Sequence, residues 1–178
     1  MKSKLELARQ RIATINRTNN PRVHSRMFLL DTSDSMRGFK LQYAKQALNH
    51  HIKPGDGILT FDNNVHYVTK DLIRMIETNG LTAMLPAIKE AVTYKCSHVI
   101  LITDGWPNVE GETDDVTDFV RHSIRGIKID TIGIGDDCEI EFLASISKST
   151  GGTNYFIDDP AQLTGIVGLL TAGSSIEL

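Results

Sequence analysis

Oxygen-bearing side chains cluster in the stretch FLLDTSDSMRG, residues 28–38. Asp31 directly follows an apolar run, and Ser33 and Ser35 come behind it at two-residue spacing. In an extended turn, side chains at this spacing can point the same way. Asp104 ends a second apolar run, VILIT, in a similar manner. Carboxylates and hydroxyls without Cys or His suit Mg²⁺ or Mn²⁺, suit Ca²⁺ less comfortably, and suit Zn²⁺ or Cu²⁺ poorly.

The elements that must position these residues follow from an alternation of short apolar runs with helix-period segments. This pattern is typical of an α/β fold with a doubly wound, mostly parallel sheet and helices on both faces. Six strands are predicted, at residues 26–30, 57–61, 65–69, 98–103, 127–134 and 153–157. The short turn DNN between the second and third predicts a hairpin, so one edge strand should be antiparallel. Helices are predicted at 37–51, 71–77, 82–94, 113–125, 139–148 and 160–171.

The predicted sheet places the two acids at one edge. In open parallel sheets, ligands bind beyond the carboxyl ends of the strands. Asp31 and Asp104 each stand at such an end, so we expect them to converge. Taken singly, each residue has a plainer explanation: Ser33, Ser35 or Thr82 as a helix cap, and Asp104 before Gly105 as a turn former.

The motif DTSDSM resembles the D-x-S-x-S motif of the von Willebrand factor A (VWA) domain, whose fold is Rossmann-like. The metal-ion-dependent adhesion site (MIDAS) of that family also has a threonine in a second loop and an aspartate in a third. Thr82 in NGLTAM and Asp104 in ITDGWPN match these positions. The resemblance covers nearly the whole chain from about residue 24 to residue 171. It implies that Ser33, Ser35 and Thr82 are direct or near-direct metal ligands, and that Asp31 and Asp104 act directly or through water.

The function that the resemblance implies is a non-enzymatic protein-interaction module. The divalent cation, Mg²⁺ or Mn²⁺, would hold a Glu or Asp presented by a partner protein. By analogy with standalone VWA proteins, the partner could be an AAA+ ATPase or a member of a stress-response complex. The alternative is a metal-dependent phosphoester hydrolase. Against it, the sequence shows no placed general base and no second metal set, and it predicts no Lys or Arg other than Arg37 near the motif loops to stabilise a leaving phosphate.

Charge and hydropathy narrow the partners further. The chain of 178 residues has a net charge of −3, but residues 1–26 hold seven Lys or Arg and one Glu, so the remainder is acidic by nine charges. An acidic body is a poor phosphate binder, which argues against nucleic acid as the main partner. No apolar run approaches the roughly 18 residues of a membrane span, and the N-terminal MKSKLELARQRI lacks the apolar centre of a signal peptide. We therefore expect a cytoplasmic protein without a membrane partner.

The predicted organisation is a single domain with two short flanking segments. Residues 1–22 are predicted to form a basic amphipathic helix and linker, which either packs on its own domain or docks a partner. Residues 23–171 form the VWA-like domain, and residues 172–178 form a flexible tail. The two cysteines, Cys96 and Cys138, match no metal spacing and are expected to be ordinary thiols.

Two features beside the predicted metal site have two interpretations each. The acidic residues between Glu110 and Asp118 are either a solvated loop and first helical turn, or a surface that selects a partner with basic residues around its acid. Trp106, directly after the TDG motif, either caps the core or serves as an exposed aromatic anchor.

Overall fold

The computed structural model describes residues 23–172, so the predicted N-terminal helix and the tail from residue 173 lie outside the described residues. A six-stranded sheet organises this part of the chain. Its strands are β1 (Arg26–Asp31), β2 (Gly57–Phe61), β3 (Val65–Val68), β4 (His98–Thr103), β5 (Lys128–Ile134) and β6 (Asn154–Ile157).

The strand order is β3-β2-β1-β4-β5-β6. Every neighbouring pair is parallel except β2 and β3, which form the predicted antiparallel hairpin at one edge. The structure thus confirms the predicted fold class. In the central pair, Leu30 of β1 lies beside Ile102 of β4, so the carboxyl ends of these two strands are neighbours.

Within residues 23–172, five α-helices cover both faces of the sheet. They are α1 (Phe39–His51), α2 (Met84–Thr93), α3 (Thr113–Ser123), α4 (Ile140–Thr150) and α5 (Leu163–Ala172). Helices α1 and α5 pack on one face, whereas α2, α3 and α4 pack on the other. None of the helices in the described part of the chain has the length and apolarity needed to cross a bilayer.

The predicted helix at 71–77 is wrong in type and in extent. The structure has a 3₁₀ turn at Lys70–Met75, and Ile76 is already extended, with a ψ of 131°. Ile73 and Ile76 are both buried. Their three-residue separation matches the three residues per turn of a 3₁₀ helix, so a short tight turn presents both to the core. The last predicted helix is likewise divided, into a 3₁₀ turn at Pro160–Gln162 followed by α5.

Strand β1 is buried on both of its faces. Met27 and Leu29 contribute to the core under α2, α3 and α4, whereas Phe28 and Leu30 contribute to the core under α1 and α5. A parallel strand inside a doubly wound sheet has this all-apolar composition because helices cover both sides. The strand then ends in Asp31, which is 0% exposed, so a carboxylate directly continues the core.

The approach of Gly152 to β5 gives a test of the sheet's packing. A Cβ atom at Gly152 would lie 1.8 Å from the carbonyl oxygen of Ile129, so Gly152→Ala forces the backbone apart. We expect the free energy of unfolding to fall by roughly 3 kcal/mol, measured by urea denaturation. The control is Gly165→Ala in α5, where an added Cβ meets no atom within 4 Å outside its own helix. It should be neutral or stabilising by up to about 1 kcal/mol. Equal stability of both variants would contradict the packing described here.

Candidate metal centre

Asp31 is the most deeply placed residue of the candidate site, and neutral donors hold both of its oxygens. The backbone N–H of Ser33 donates to Oδ1 at 2.8 Å, and the Thr103 hydroxyl donates to Oδ2 at 2.5 Å. Burial raises the pKa of Asp31 to about 6, although the hydrogen bonds from Thr103 and Ser33 lower it in part. A nearby cation would favour the ionised form that burial disfavours.

A chain of hydroxyl and carboxylate groups extends from this residue to β4. The Ser33 and Ser35 hydroxyl oxygens lie 3.0 Å apart, and the Ser35 hydroxyl donates to Asp104 Oδ1 at 2.7 Å. Asp104 is 2% exposed, whereas Ser35 is exposed, so the set opens to solvent at Ser35. Four of the five residues that the sequence singled out are therefore joined through hydrogen bonds at the ends of β1 and β4.

The loop that carries the fifth residue, Thr82, docks against the Asp31 loop through its backbone. The N–H of Asn79 donates to the carbonyl of Thr32 at 2.8 Å, and the N–H of Asp34 donates to the carbonyl of Gly80 at 3.0 Å. The N–H of Gly80 in turn donates to the Asp34 carboxylate at 3.2 Å. Thr82 itself is buried. These contacts bring the threonine loop to the same edge of the sheet as the two serines.

Asn108 ties the Thr82 loop to the loop after β4, and the sequence analysis did not single it out. The backbone N–H of Thr82 donates to Asn108 Oδ1 at 2.7 Å, and the N–H of Asn108 donates to the carbonyl of Thr82 at 3.1 Å. The only signal in the sequence is an amide residue four positions after Asp104. The paired hydrogen bonds make Asn108 a positioning residue for the candidate site.

The basic residue at the site is Lys40, so the expectation that only Arg37 lies near the motif loops is wrong. Arg37 pairs with Asp34 at 2.8 Å on the exposed surface. Lys40, in the first turn of α1, instead places its ammonium 2.5 Å from Asp104 Oδ2. The motif loop turns into α1 within a few residues, and this turn directs Lys40 toward β4.

The acidic stretch and Trp106 now have defined positions. The side chain of Glu112 accepts from the backbone at the start of α3, and Asp115 accepts from the N–H of Glu112, so these two acids cap the helix. For these two acids, this supports the interpretation as a first helical turn rather than a partner-selecting surface.

Trp106 is 50% exposed, and Leu81, beside Thr82, is 51% exposed. Trp106 therefore presents a large part of its ring to solvent beside the candidate site.

The potential metal donors of the candidate centre are carboxylate and hydroxyl oxygens. Within residues 23–172, no group of three or more His, Cys, Asp or Glu side chains is arranged to hold a metal ion. The candidate centre has only two carboxylates and draws its remaining donors from hydroxyls, which are hard ligands fitted to Mg²⁺ or Mn²⁺. Both cysteines are free and buried, as expected, and take no part in it.

Comparison with known proteins identifies the family. The family model described as von Willebrand factor type A domain matches residues 27–63 and 68–156. The chain belongs to this family.

Individual relatives share the fold over much of this chain. Inter-alpha-trypsin inhibitor heavy chain H1 of Mesocricetus auratus is 29% identical over 161 residues, which are 71% of this chain but only 18% of that protein's length. A von Willebrand factor type A structure from Catenulispora acidiphila has a TM-score of 0.76 and 24% identity, over 85% of this chain and 42% of that one. Proximal thread matrix protein 1 from the mussel byssus, solved with a zinc-occupied MIDAS motif, has a TM-score of 0.60 and 18% identity, over 85% and 47%.

The raised pKa of Asp31 predicts a pH effect in metal-stripped protein. Between the usual value of 3.8 and the folded value of about 6, the folded protein holds the Asp31 proton more tightly than the unfolded chain. The contribution of Asp31 to the free energy of unfolding therefore falls by about 3 kcal/mol as pH rises through that window. Asp31→Asn removes the effect. We expect this variant to gain stability over wild type between pH 4 and pH 7 in urea denaturation with chelator present. A stability difference that stays constant with pH would contradict the burial of a titrating Asp31.

Proposed function

We propose that this domain binds Mg²⁺ or Mn²⁺ through Ser33, Ser35 and Thr82, supported by Asp31 and Asp104, with Ca²⁺ fitting less well. The observation that carries the proposal is the hydrogen-bonded set that runs from Asp31 through both serines to Asp104, with the Thr82 loop docked against it. A protein of the same fold has a zinc-occupied MIDAS motif, which supports a divalent ion at the equivalent place.

The charge balance of the donors favours a bound anion. When bound, the metal supplies a Lewis-acidic position that attracts an oxygen ligand. Hydroxyls are neutral, and the two carboxylates share their charge with hydrogen-bond donors and with Lys40. The protein ligands therefore leave the positive charge incompletely offset. A Glu or Asp side chain of another protein, projecting into the site, has the chemistry to complete it.

The surface around the site supports a protein partner. Large hydrophobic side chains are exposed at six described positions, and four of them lie in loops or first helical turns at the carboxyl edge of the sheet: Phe39, Leu81, Trp106 and Ile140. Exposed apolar and aromatic groups around a polar centre are typical of interaction surfaces. By analogy with standalone VWA proteins, we propose an AAA+ ATPase or a stress-response complex as the partner class.

A binding role fits the site better than hydrolysis. A hydrolase needs a base placed to activate water. Both oxygens of Asp31 and both oxygens of Asp104 already accept hydrogen bonds from the protein. We accordingly propose a non-enzymatic module. The two free buried thiols fit the reducing cytoplasm, where we propose that it acts.

Metal binding is tested by thermal unfolding of metal-stripped protein. We expect Mg²⁺ or Mn²⁺ to raise the Tm of wild type by several degrees, since about 100-fold excess over Kd stabilises by about 2.7 kcal/mol. Ser35→Ala and Thr82→Ala remove donor oxygens and should lose most of this response. The control is Ser149→Ala, an exposed serine of α4 whose hydroxyl donates to the carbonyl of Ser145. A wild type whose Tm ignores all divalent ions contradicts the proposal.

The same variants test whether binding of a partner protein depends on the metal ion. Proteins retained from native lysate on immobilised wild type in Mg²⁺ should elute with chelator, and a Ser35→Ala column should not retain them. Ser149→Ala should retain them like wild type. Retention that is indifferent to chelator and to Ser35→Ala would place the interaction elsewhere on the domain.

A further inference from the structure

Asp104 has an internal cation as a partner. Its side chain is 0% exposed, and the Lys40 ammonium lies 2.5 Å from Oδ2, with the lysine side chain 27% exposed. The other oxygen, Oδ1, accepts from the Ser35 hydroxyl at 2.7 Å. A buried carboxylate is costly unless it is paired, and Lys40 supplies the pairing charge.

The loop that follows β5 also lies beside Lys40. A Cβ atom at Gly135, directly after β5, would lie 3.4 Å from Lys40 Cε and 3.5 Å from Nζ. Gly135 has a φ of +84°. The two distances would be ordinary van der Waals distances, so the loop after β5 lies beside the lysine stem, and the positive φ is what favours glycine at this position. Lys40, in the first turn of α1, therefore lies close to the loops that follow β4 and β5.

The two carboxylates of the site differ in the charge of the groups that donate hydrogen bonds to them. The donors to Asp31 are a hydroxyl and a backbone N–H, both neutral, so neither of them cancels its negative charge. The charge of Asp104 is already offset by Lys40. A divalent ion that binds beside Asp104 would share this carboxylate with the Lys40 ammonium. The two positive charges would then be close together and would repel each other strongly, because the site is partly buried.

We propose that Lys40 is a built-in competitor for the metal ion, which neutralises Asp104 and lowers the affinity of the site for divalent cations. The proposal rests on the proposed metal site and adds a residue that sets its affinity. Lys40 can stay on Asp104 while metal binds. Its positive charge then weakens binding by repelling the ion through space rather than by occupying the ion's position. The lysine also stabilises the protein in the absence of metal, since it pairs the buried Asp104.

The test compares variants of Lys40 that differ in charge. Lys40→Met removes the ammonium and keeps an unbranched stem, whereas Lys40→Gln removes the charge and can still donate a hydrogen bond to Asp104. In calorimetric titrations of metal-stripped protein with Mg²⁺, both should bind about tenfold more tightly than wild type. Both should also show a lower Tm in chelator. Lys40→Arg keeps the charge and should keep an affinity near that of wild type.

The matched control is Lys45→Met on the same helix. Lys45 is also partly buried, and its ammonium donates to the carbonyls of Arg74 and Ile76 rather than to a carboxylate of the site. Its Mg²⁺ affinity should equal that of wild type. Tighter binding in this variant would show a general effect of removing one positive charge.

The outcomes separate this inference from the function on which it rests. If Lys40→Met and Lys40→Gln bind Mg²⁺ with unchanged or weaker affinity while wild type binds, Lys40 only positions Asp104, and the competition is overturned. Should Lys40→Met fail to fold, Lys40→Gln alone decides. If wild type and Ser35→Ala both fail to bind Mg²⁺, the proposed metal site itself fails.

Discussion

The buried carboxylate of Asp31, at the junction of β1 and β4, is the constraint on which the arrangement of the site depends. Because the two strands are parallel neighbours, the end of β4 brings the Thr103 hydroxyl to one oxygen of Asp31. The other oxygen accepts from the N–H of Ser33 and so bends the chain as it leaves the strand. A register slip of one residue would turn Asp31 to the opposite face and separate these groups.

The loops beyond this junction are held by contacts between them rather than by their own secondary structure. Gly80 and Asp34 join the second loop to the first, and Asn108 joins it to the third. Since each joining contact involves backbone N–H or carbonyl groups, the loops retain their relative positions while side-chain oxygens remain available. This arrangement places hydroxyl donors from separate parts of the chain at one edge of a rigid sheet.

Strand ends and motif spacing were enough to predict much of this site. The apolar runs before Asp31 and Asp104 located both residues at the carboxyl edge, and the two-residue spacing of the serines gave their common direction. The proposed metal role of Thr82 rests on family resemblance, since its own neighbourhood in the sequence is that of an ordinary helix cap. The short apolar runs also predicted the strand boundaries to within one residue at each end.

Contacts that depend on how helices, strands and loops pack together could not be predicted from the sequence. Lys40 meets Asp104 only because α1 packs on the sheet with its first turn facing β4, and no local pattern encodes that docking. The two hydrogen bonds between Asn108 and the backbone of Thr82 depend on the path of an irregular loop. The buried Ile73 and Ile76 lie three residues apart, a spacing that both a 3₁₀ turn and an α-helix allow, so the sequence pattern did not distinguish the two at this segment.

The most direct test of the metal centre is the anomalous difference map of crystals soaked in Mn²⁺. We expect a peak bounded by the side-chain oxygens of Ser33, Ser35 and Thr82, at the carboxyl end of β1, and no such peak in crystals of Ser35→Ala. A Mn²⁺ peak elsewhere on the domain, or none at this edge in crystals where it is open to solvent, would contradict the assignment.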